Sequence, residues 1–100
     1  MILTGAENVA SSEVEAVIYK MPQVAEVAVI GLPDDKWGER VVAVVVPNPG
    51  QSLTLQDVEA HCRQHLAGFK VPRDIRVTEA LPRNPSGKVL KRVLRDEYKT

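Results

Sequence analysis

Two short runs of mainly β-branched apolar residues constrain the fold of this chain most strongly. They extend from Val24 to Ile30 and from Val41 to Val46. Apolar side chains occupy successive positions in both runs, so both faces of each strand are predicted to be buried. The ten residues from Gly31 to Arg40 that separate them are rich in turn-forming and charged types. We therefore predict two central strands joined by a long, exposed hairpin loop.

Three amphipathic segments accompany these strands. In the first, Ser12 and Glu15 have the spacing of a capping box, and a helix is predicted from Ser12 to Met21. The second is predicted to begin at Thr54, a residue type that favours the first position of a helix. The third is a basic amphipathic segment over 89–98.

A further strand is indicated by Ile75 and Val77, which alternate with polar residues. The predicted order is helix, strand, strand, helix, strand, helix. This order favours an α+β fold, with a small mixed sheet of about three main strands and helices packed on it.

Composition excludes several classes of function. The chain has 100 residues, the size of one domain, and its 13 Lys and Arg balance its 13 Asp and Glu, which argues against nonspecific nucleic-acid binding. No apolar run approaches the roughly 18 residues of a transmembrane helix. Cys62 is the single cysteine, so no internal disulfide can form. We predict a cytoplasmic protein with no transmembrane segment and no nucleic-acid partner.

Lys88 follows Gly87 at the end of a Pro-rich loop and precedes the third amphipathic segment. A nucleotide-binding P-loop is rejected, because Pro82 stands where its first glycine belongs and Val89 where its hydroxyl residue belongs. A lysine at the start of a helix favours an anion, through its own charge and through the helix dipole. From the residues alone, both a functional lysine and a solvated one remain open.

Three other features have a functional and a structural interpretation. Gly5 could permit close approach of a ligand or could belong to an N-terminal turn. Trp37 could stack on a ligand or fold onto its own core. His61 and His65 lie one helical turn apart, but the Glu of an H-E-x-x-H motif is missing and Cys62 lies on the apolar stripe, so no metal site is predicted.

Four segments, taken in their order and spacing, resemble one known family. They are Gly5-Ala6-Glu7-Asn8-Val9, Asp34-Asp35-Lys36-Trp37-Gly38-Glu39, Phe69-Lys70-Val71-Pro72 and Leu81-Pro82-Arg83-Asn84-Pro85-Ser86-Gly87-Lys88. Together they resemble the small C-terminal domain of the acyl-CoA synthetase family. These adenylate-forming enzymes include acid:CoA ligases and peptide-synthetase adenylation domains. The resemblance covers essentially the whole chain.

The resemblance implies a two-step reaction. A carboxylic acid attacks the α-phosphorus of ATP to give an acyl-adenylate and pyrophosphate, and the thiol of CoA then displaces AMP. Residues 1–100 would be the mobile C-terminal lid of an acid:CoA ligase, acting on a fatty or other apolar acid. A partner N-terminal domain, absent from this chain, would hold ATP, Mg²⁺ and the acid. The isolated chain is therefore expected to be inactive.

The resemblance also assigns roles to residues. Lys88 matches the family's catalytic lysine for adenylation. The remaining matches are to CoA and pantetheine contacts, and they are Gly5, Ala6, Glu7, Trp37, Phe69 and Lys70. Val71 stands where some relatives carry an arginine for CoA phosphates, so Lys70 or Arg73 would have to bind these phosphates instead.

Two alternatives stay open at this point. The chain could belong to an adenylation domain that loads the phosphopantetheine of a carrier protein, which would share the chemistry of Lys88 without the CoA nucleotide contacts. It could also be a free-standing binding or regulatory module without catalysis.

Overall fold

The computed structural model describes residues 1–5 and 7–99. Ala6, one of the predicted pantetheine contacts, lies outside the described residues. The elements in chain order are β1 (Ile2–Thr4), β2 (Glu7–Val9), α1 (Ser11–Tyr19), β3 (Val24–Asp34), β4 (Gly38–Pro47), α2 (Leu55–Arg63), a 3-10 turn (Gly68–Lys70), β5 (Asp74–Val77) and α3 (Lys91–Tyr98).

The long hairpin of β3 and β4 is the centre of the sheet. The two strands pair from Val24 with Pro47 to Asp34 with Gly38, so three residues remain in the turn. The prediction of a long exposed loop over 31–40 was therefore wrong. The Asp34 carboxylate accepts the N–H groups of Lys36 and Trp37, each at 2.9 Å, and this contact closes a tight turn that lets both strands continue.

The rest of the sheet forms around β4. On its second side β4 pairs in parallel with β5 and, at Gly38, antiparallel with β1. β1 and β2 form an N-terminal hairpin that the sequence did not predict. The result is a mixed five-stranded sheet with β3 at one edge, which confirms the predicted α+β fold.

Both faces of the β3–β4 hairpin are buried, as predicted. One face, with Val27 and Val29, packs against α1 and α2. The opposite face, with Ala28 and Ile30, packs against Leu94 of α3 and against the loop before it. Because strand side chains alternate between faces, two apolar layers require apolar residues at successive positions. This explains why apolar residues occupy successive positions from Val27 to Ile30 and from Val41 to Val46.

The helix starts are only partly as predicted. α1 begins one residue early, after Ala10, and has no side-chain cap, so the predicted capping box of Ser12 and Glu15 was wrong. The carboxylate of Glu15 instead accepts the N–H of Val29 at 2.8 Å. The prediction for Thr54 is confirmed, because Thr54 and Asp57 form a reciprocal capping box. Over residues 1–5 and 7–99, no helix has the length and apolar character needed to cross a bilayer.

Candidate functional site

Lys88 lies in a tight hairpin over residues 82–90, which we call the Lys88 hairpin. The Leu90 N–H donates to the Pro82 carbonyl at 2.8 Å, and the Asn84 N–H donates to the Lys88 carbonyl at 2.9 Å. The Lys88 N–H in turn donates to Oδ1 of Asn84 at 2.9 Å. The backbone of Lys88 is therefore held on both its N–H and its C=O. No role was predicted for Asn84, although Asn at the start of a turn is a known signal.

The Lys88 side chain, by contrast, is exposed and unpaired. Its ammonium takes part in no ion pair or hydrogen bond with the part of the chain that the structure describes. Gly87, directly before it, has φ of 90°, which favours glycine. A shallow groove beside Lys88 is also lined by Arg92 and Arg95 of α3. The arrangement presents an exposed positive charge on a backbone held by hydrogen bonds, which suits the binding of an anion.

Gly5 and Trp37 are in direct contact at the turn of the long hairpin. The Gly5 N–H donates to the Trp37 carbonyl at 2.8 Å. Gly5 has φ of 55°, and a β-carbon there would come within 2.7 Å of Cε3 of Trp37. Gly5 is therefore required both by its backbone conformation and by the indole against it. The two residues, predicted separately, form one structural unit.

Trp37 is half-buried and lies outside the two apolar clusters of the core. The guanidinium of Arg73 lies 4.5 Å from its ring centroid and the ammonium of Lys36 lies 4.9 Å from it, both within cation–π range. The backbone N–H of Trp37, together with that of Lys36, lowers the pKa of the Asp34 carboxyl below the ordinary value of 3.8. This end of the domain thus combines an aromatic face with two cations.

Phe69 and Lys70 lie in the 3-10 turn, which contacts the strand β2 that contains Glu7. Phe69 is exposed, whereas the Lys70 ammonium pairs with the Glu13 carboxylate at 2.9 Å. Arg73 forms no ion pair within the described residues. Of the two cations considered for CoA phosphates, Arg73 is therefore the one without a close ion pair, although its charge acts on the Asp34 carboxylate.

The two groups of predicted residues are not brought together. The Lys88 hairpin is joined to β3 at Glu26 through Arg83, and Trp37 follows the far end of β3 at Asp34. Asp34 lies eight positions after Glu26 along the strand, which corresponds to about 26 Å at ~3.3 Å per residue. The described chain measures 36 × 31 × 23 Å, so the two groups lie towards opposite ends of the domain.

Of the two histidines, only His61 lies on α2, because the helix ends at Arg63 and His65 follows it in a turn. The Nε2 atom of His61 lies 2.7 Å from the carbonyl oxygen of Val17, at the end of α1. Cys62 is buried and free, and burial raises the pKa of its thiol to about 11. Within residues 1–5 and 7–99, no group of three or more His, Cys, Asp or Glu side chains could hold a metal ion.

Comparison with known proteins places these features in a family. The family model for the AMP-binding enzyme C-terminal domain matches residues 13–88. A long-chain-fatty-acid–CoA ligase of Mycobacterium tuberculosis, FadD13, is 51% identical over 98 residues, which are 98% of this chain and 19% of that protein. The fatty acid–[acyl-carrier-protein] ligase ScoC of Streptomyces coeruleorubidus is 45% identical over 97 residues, which are 97% of this chain and 19% of that protein.

A solved structure agrees with the sequence comparison. A fatty acyl CoA synthetase of Mycobacterium tuberculosis superposes with a TM-score of 0.92 at 49% identity, over 99% of this chain and 20% of that one. The chain thus spans about a fifth of the length of the relatives it matches. It belongs to the family of AMP-binding enzyme C-terminal domains.

Proposed function

We propose that this chain is the mobile C-terminal domain of an acid:CoA ligase. The ligase joins a fatty or other apolar carboxylic acid to AMP and then transfers the acyl group to the thiol of CoA. ATP and CoA are substrates of the reaction. The family supports the proposal, as do the activities of similar members, which include fatty-acid ligases.

The placement of Lys88 is the observation that carries the proposal. In adenylation a carboxylate oxygen forms a bond to the α-phosphorus of ATP while the bond from that phosphorus to the pyrophosphate oxygen breaks. Two anions must approach, and negative charge increases around the phosphorus. A cation about 4 Å away contributes on the order of 4 kcal/mol before desolvation. An exposed, unpaired Lys88 on a hydrogen-bonded backbone meets this need.

The end of the domain that contains Gly5 and Trp37 fits the second step, the transfer of the acyl group to CoA. Because Gly5 has no β-carbon, its backbone lies directly against Trp37, and we propose that this pair forms one wall of a narrow passage for the pantetheine arm. Phe69 offers an exposed aromatic face, and Arg73, which stacks on Trp37, offers a guanidinium without an ion pair for a phosphate. Glu7 and Lys70 remain proposed contacts beside them, and Ala6 remains a proposed contact on sequence alone.

A rotation of the domain follows from the distance between these two groups. Lys88 and Trp37 lie towards opposite ends of one packed unit, so a single pose cannot present both to the same reaction centre. A domain that turns between the half-reactions removes Lys88 when it brings the CoA end into place. ATP, the acid and Mg²⁺ would be held by the larger N-terminal domain, which is the proposed partner of this chain.

Pyrophosphate release tests the proposal. The full-length protein, mixed with ATP, Mg²⁺ and a panel of carboxylic acids, should release pyrophosphate only when an acid is present, with apolar acids best. The 100-residue chain alone should release none. Absence of acid-dependent release from the full-length protein under every acid, with its folding verified, would contradict an adenylating enzyme.

Loading of a carrier protein is a second candidate, favoured by the similarity to an acyl-carrier-protein ligase at 45% identity. Competition distinguishes the two acceptors. If CoA is the acceptor, 3′-phosphoadenosine groups should inhibit thioester formation, because Trp37 and Arg73 bind the nucleotide end. Inhibition should be absent if the phosphopantetheine of a carrier protein is the acceptor. A cytoplasmic location is part of the proposal, since the free, buried Cys62 suits a reducing compartment.

A further inference from the structure

The internal bonds of the Lys88 hairpin fix its shape but do not fix its position on the domain. Leu81 and Val89 pack on the core and hold the hairpin against the sheet. Apolar contacts are not directional, so they leave its tilt along the sheet poorly determined. Two charged contacts, one on each side of Lys88 in the sequence, fix the orientation of the hairpin on the sheet.

The first contact is made by Arg83, near the start of the hairpin. One guanidinium nitrogen, Nη1, donates to the Gly87 carbonyl at 2.7 Å. The other, Nη2, pairs with the carboxylate of Glu26 on β3. Because the guanidinium is planar and rigid, it links the residue directly before Lys88 to the edge strand in a fixed geometry.

The second contact is made by Lys91, three residues after Lys88. Its ammonium pairs with Oε2 of Glu15 at 2.7 Å and donates to Oγ of Ser11 at 3.0 Å. The same Oε2 atom accepts the N–H of Val29 on β3. Glu15 therefore joins α1, the edge strand and the start of α3 at a single carboxylate.

We propose that Glu15 and Glu26 are positioning residues for Lys88, which they hold to the edge strand β3 through Lys91 and Arg83. The inference rests on the proposed role of Lys88 in adenylation. Both pairs are partly exposed, and exposed pairs contribute little to global stability. Their effect is instead on the position of a reacting charge, where a misplacement of about 1 Å can cost on the order of 100-fold in rate.

The test uses the full-length enzyme with Glu15→Gln and Glu26→Gln. Each substitution keeps the size of the side chain and removes its charge. We expect kcat for adenylation to fall by about 10-fold to 100-fold, with the KM for ATP and the melting temperature little changed. Thioester formation from supplied acyl-adenylate should stay at the wild-type rate, because that step uses the other end of the domain.

Two comparisons separate positioning from general structure. Glu59→Gln is the matched control, since it removes the carboxylate of an exposed pair with Arg63 on α2, and it should leave both half-reactions unchanged. Lys91→Arg should keep adenylation, because it keeps the charge that binds Glu15. Lys91→Met should lower adenylation as Glu15→Gln does.

Lys88→Ala in the same assay distinguishes failure of the positioning role from failure of the proposed function. If Lys88→Ala lowers adenylation while Glu15→Gln and Glu26→Gln behave like Glu59→Gln, the positioning role is refuted and the proposed function stands. Equal loss in both half-reactions with a lower melting temperature in the two Glu variants would also refute it. If Lys88→Ala leaves adenylation intact, the positioning role and the proposed role of Lys88 fail together.

Discussion

The contact between Gly5 and Trp37 allows a quantitative prediction for Gly5→Ala. An alanine at Gly5 must adopt φ of 55°, and its β-carbon must come within 2.7 Å of Cε3 of Trp37 unless the indole moves. Gly50 is the matched control, because it also has a positive φ, 79°, but nothing lies within 4 Å of the position of a β-carbon. Gly50→Ala therefore introduces the backbone strain alone.

The free energies of unfolding of the two variants should differ by the cost of the steric clash at Gly5. A non-glycine residue in the left-handed region costs about 1 to 2 kcal/mol, and both variants carry this cost. Both also lose about 0.4 to 1 kcal/mol of unfolded-state entropy, which offsets part of it equally. Overpacking adds about 1 to 3 kcal/mol for Gly5→Ala only, and the half-buried indole, which can shift, favours the lower end. We expect Gly5→Ala to be less stable than Gly50→Ala by about 1 to 2 kcal/mol.

Chemical and thermal unfolding of the two variants measure this difference. For a domain of this size about 1 kcal/mol corresponds to 4 to 8 °C in melting temperature, so the two transitions should be clearly resolved. In the full-length enzyme, Gly5→Ala should also raise the KM for CoA and leave adenylation unchanged. Equal stability of the two variants would refute the steric argument, and a loss of adenylation would refute the assignment of Gly5 to the second step.

Three further predictions concern single groups. Burial raises the pKa of the Cys62 thiol from 9.0 to about 11. At pH 8 its thiolate fraction is then about 100-fold lower than in the unfolded chain, and it should react with a thiol reagent about 100-fold more slowly. Equal rates in the folded and unfolded chains would contradict its burial. The Asp34 carboxyl, whose pKa is lowered chiefly by the N–H of Trp37, should titrate below 3.8 by NMR. Its contribution to stability is then present above pH 3.8 and is lost as the pH falls through the folded-state pKa; a midpoint at or above that value would exclude the turn contact. Thr54→Ala should lower the free energy of unfolding by about 1 kcal/mol and Thr54→Ser by much less, and an equal loss in both would argue against the helix cap.

The central fold could be predicted because its signals are local and numerous. The apolar runs of β3 and β4 occupy both faces of the sheet, so their burial is evident from the residue types alone. Thr54 was identified correctly because its preference for the start of a helix is a property of the residue type itself. Each of these signals lies within a few residues of the element that it predicts.

The errors arise where distant groups compete for the same atom. Glu15 has the spacing of a capping residue, yet its carboxylate is bound by the N–H of Val29 and by Lys91. β1 and β2 are three residues each, too short for a periodic pattern to show. The length of the hairpin turn was overestimated because the contact of Asp34 with Trp37 outweighs the turn-forming character of the neighbouring residues.

The candidate site was found by its motifs, and its supporting contacts were not. Lys88 and Gly5 stand in recognisable segments of the sequence. Gly5 is contacted by Trp37, and the Lys88 hairpin is held by Glu15 and Glu26. In each case the contacting residue is distant in the sequence. A single sequence carries no signal for such pairs, because any Glu could pair with any Lys or Arg until the fold is known.

The ratio of the two half-reactions in full-length Lys88→Ala tests the central claim most directly. Lys99→Ala is the control, since Lys99 is also exposed and lies at the far end of α3. The account predicts that Lys88→Ala lowers adenylation by about 10² to 10³, that thioester formation from supplied acyl-adenylate is retained, and that Lys99→Ala changes neither step. Equal loss in both steps, or no loss of adenylation, would contradict it.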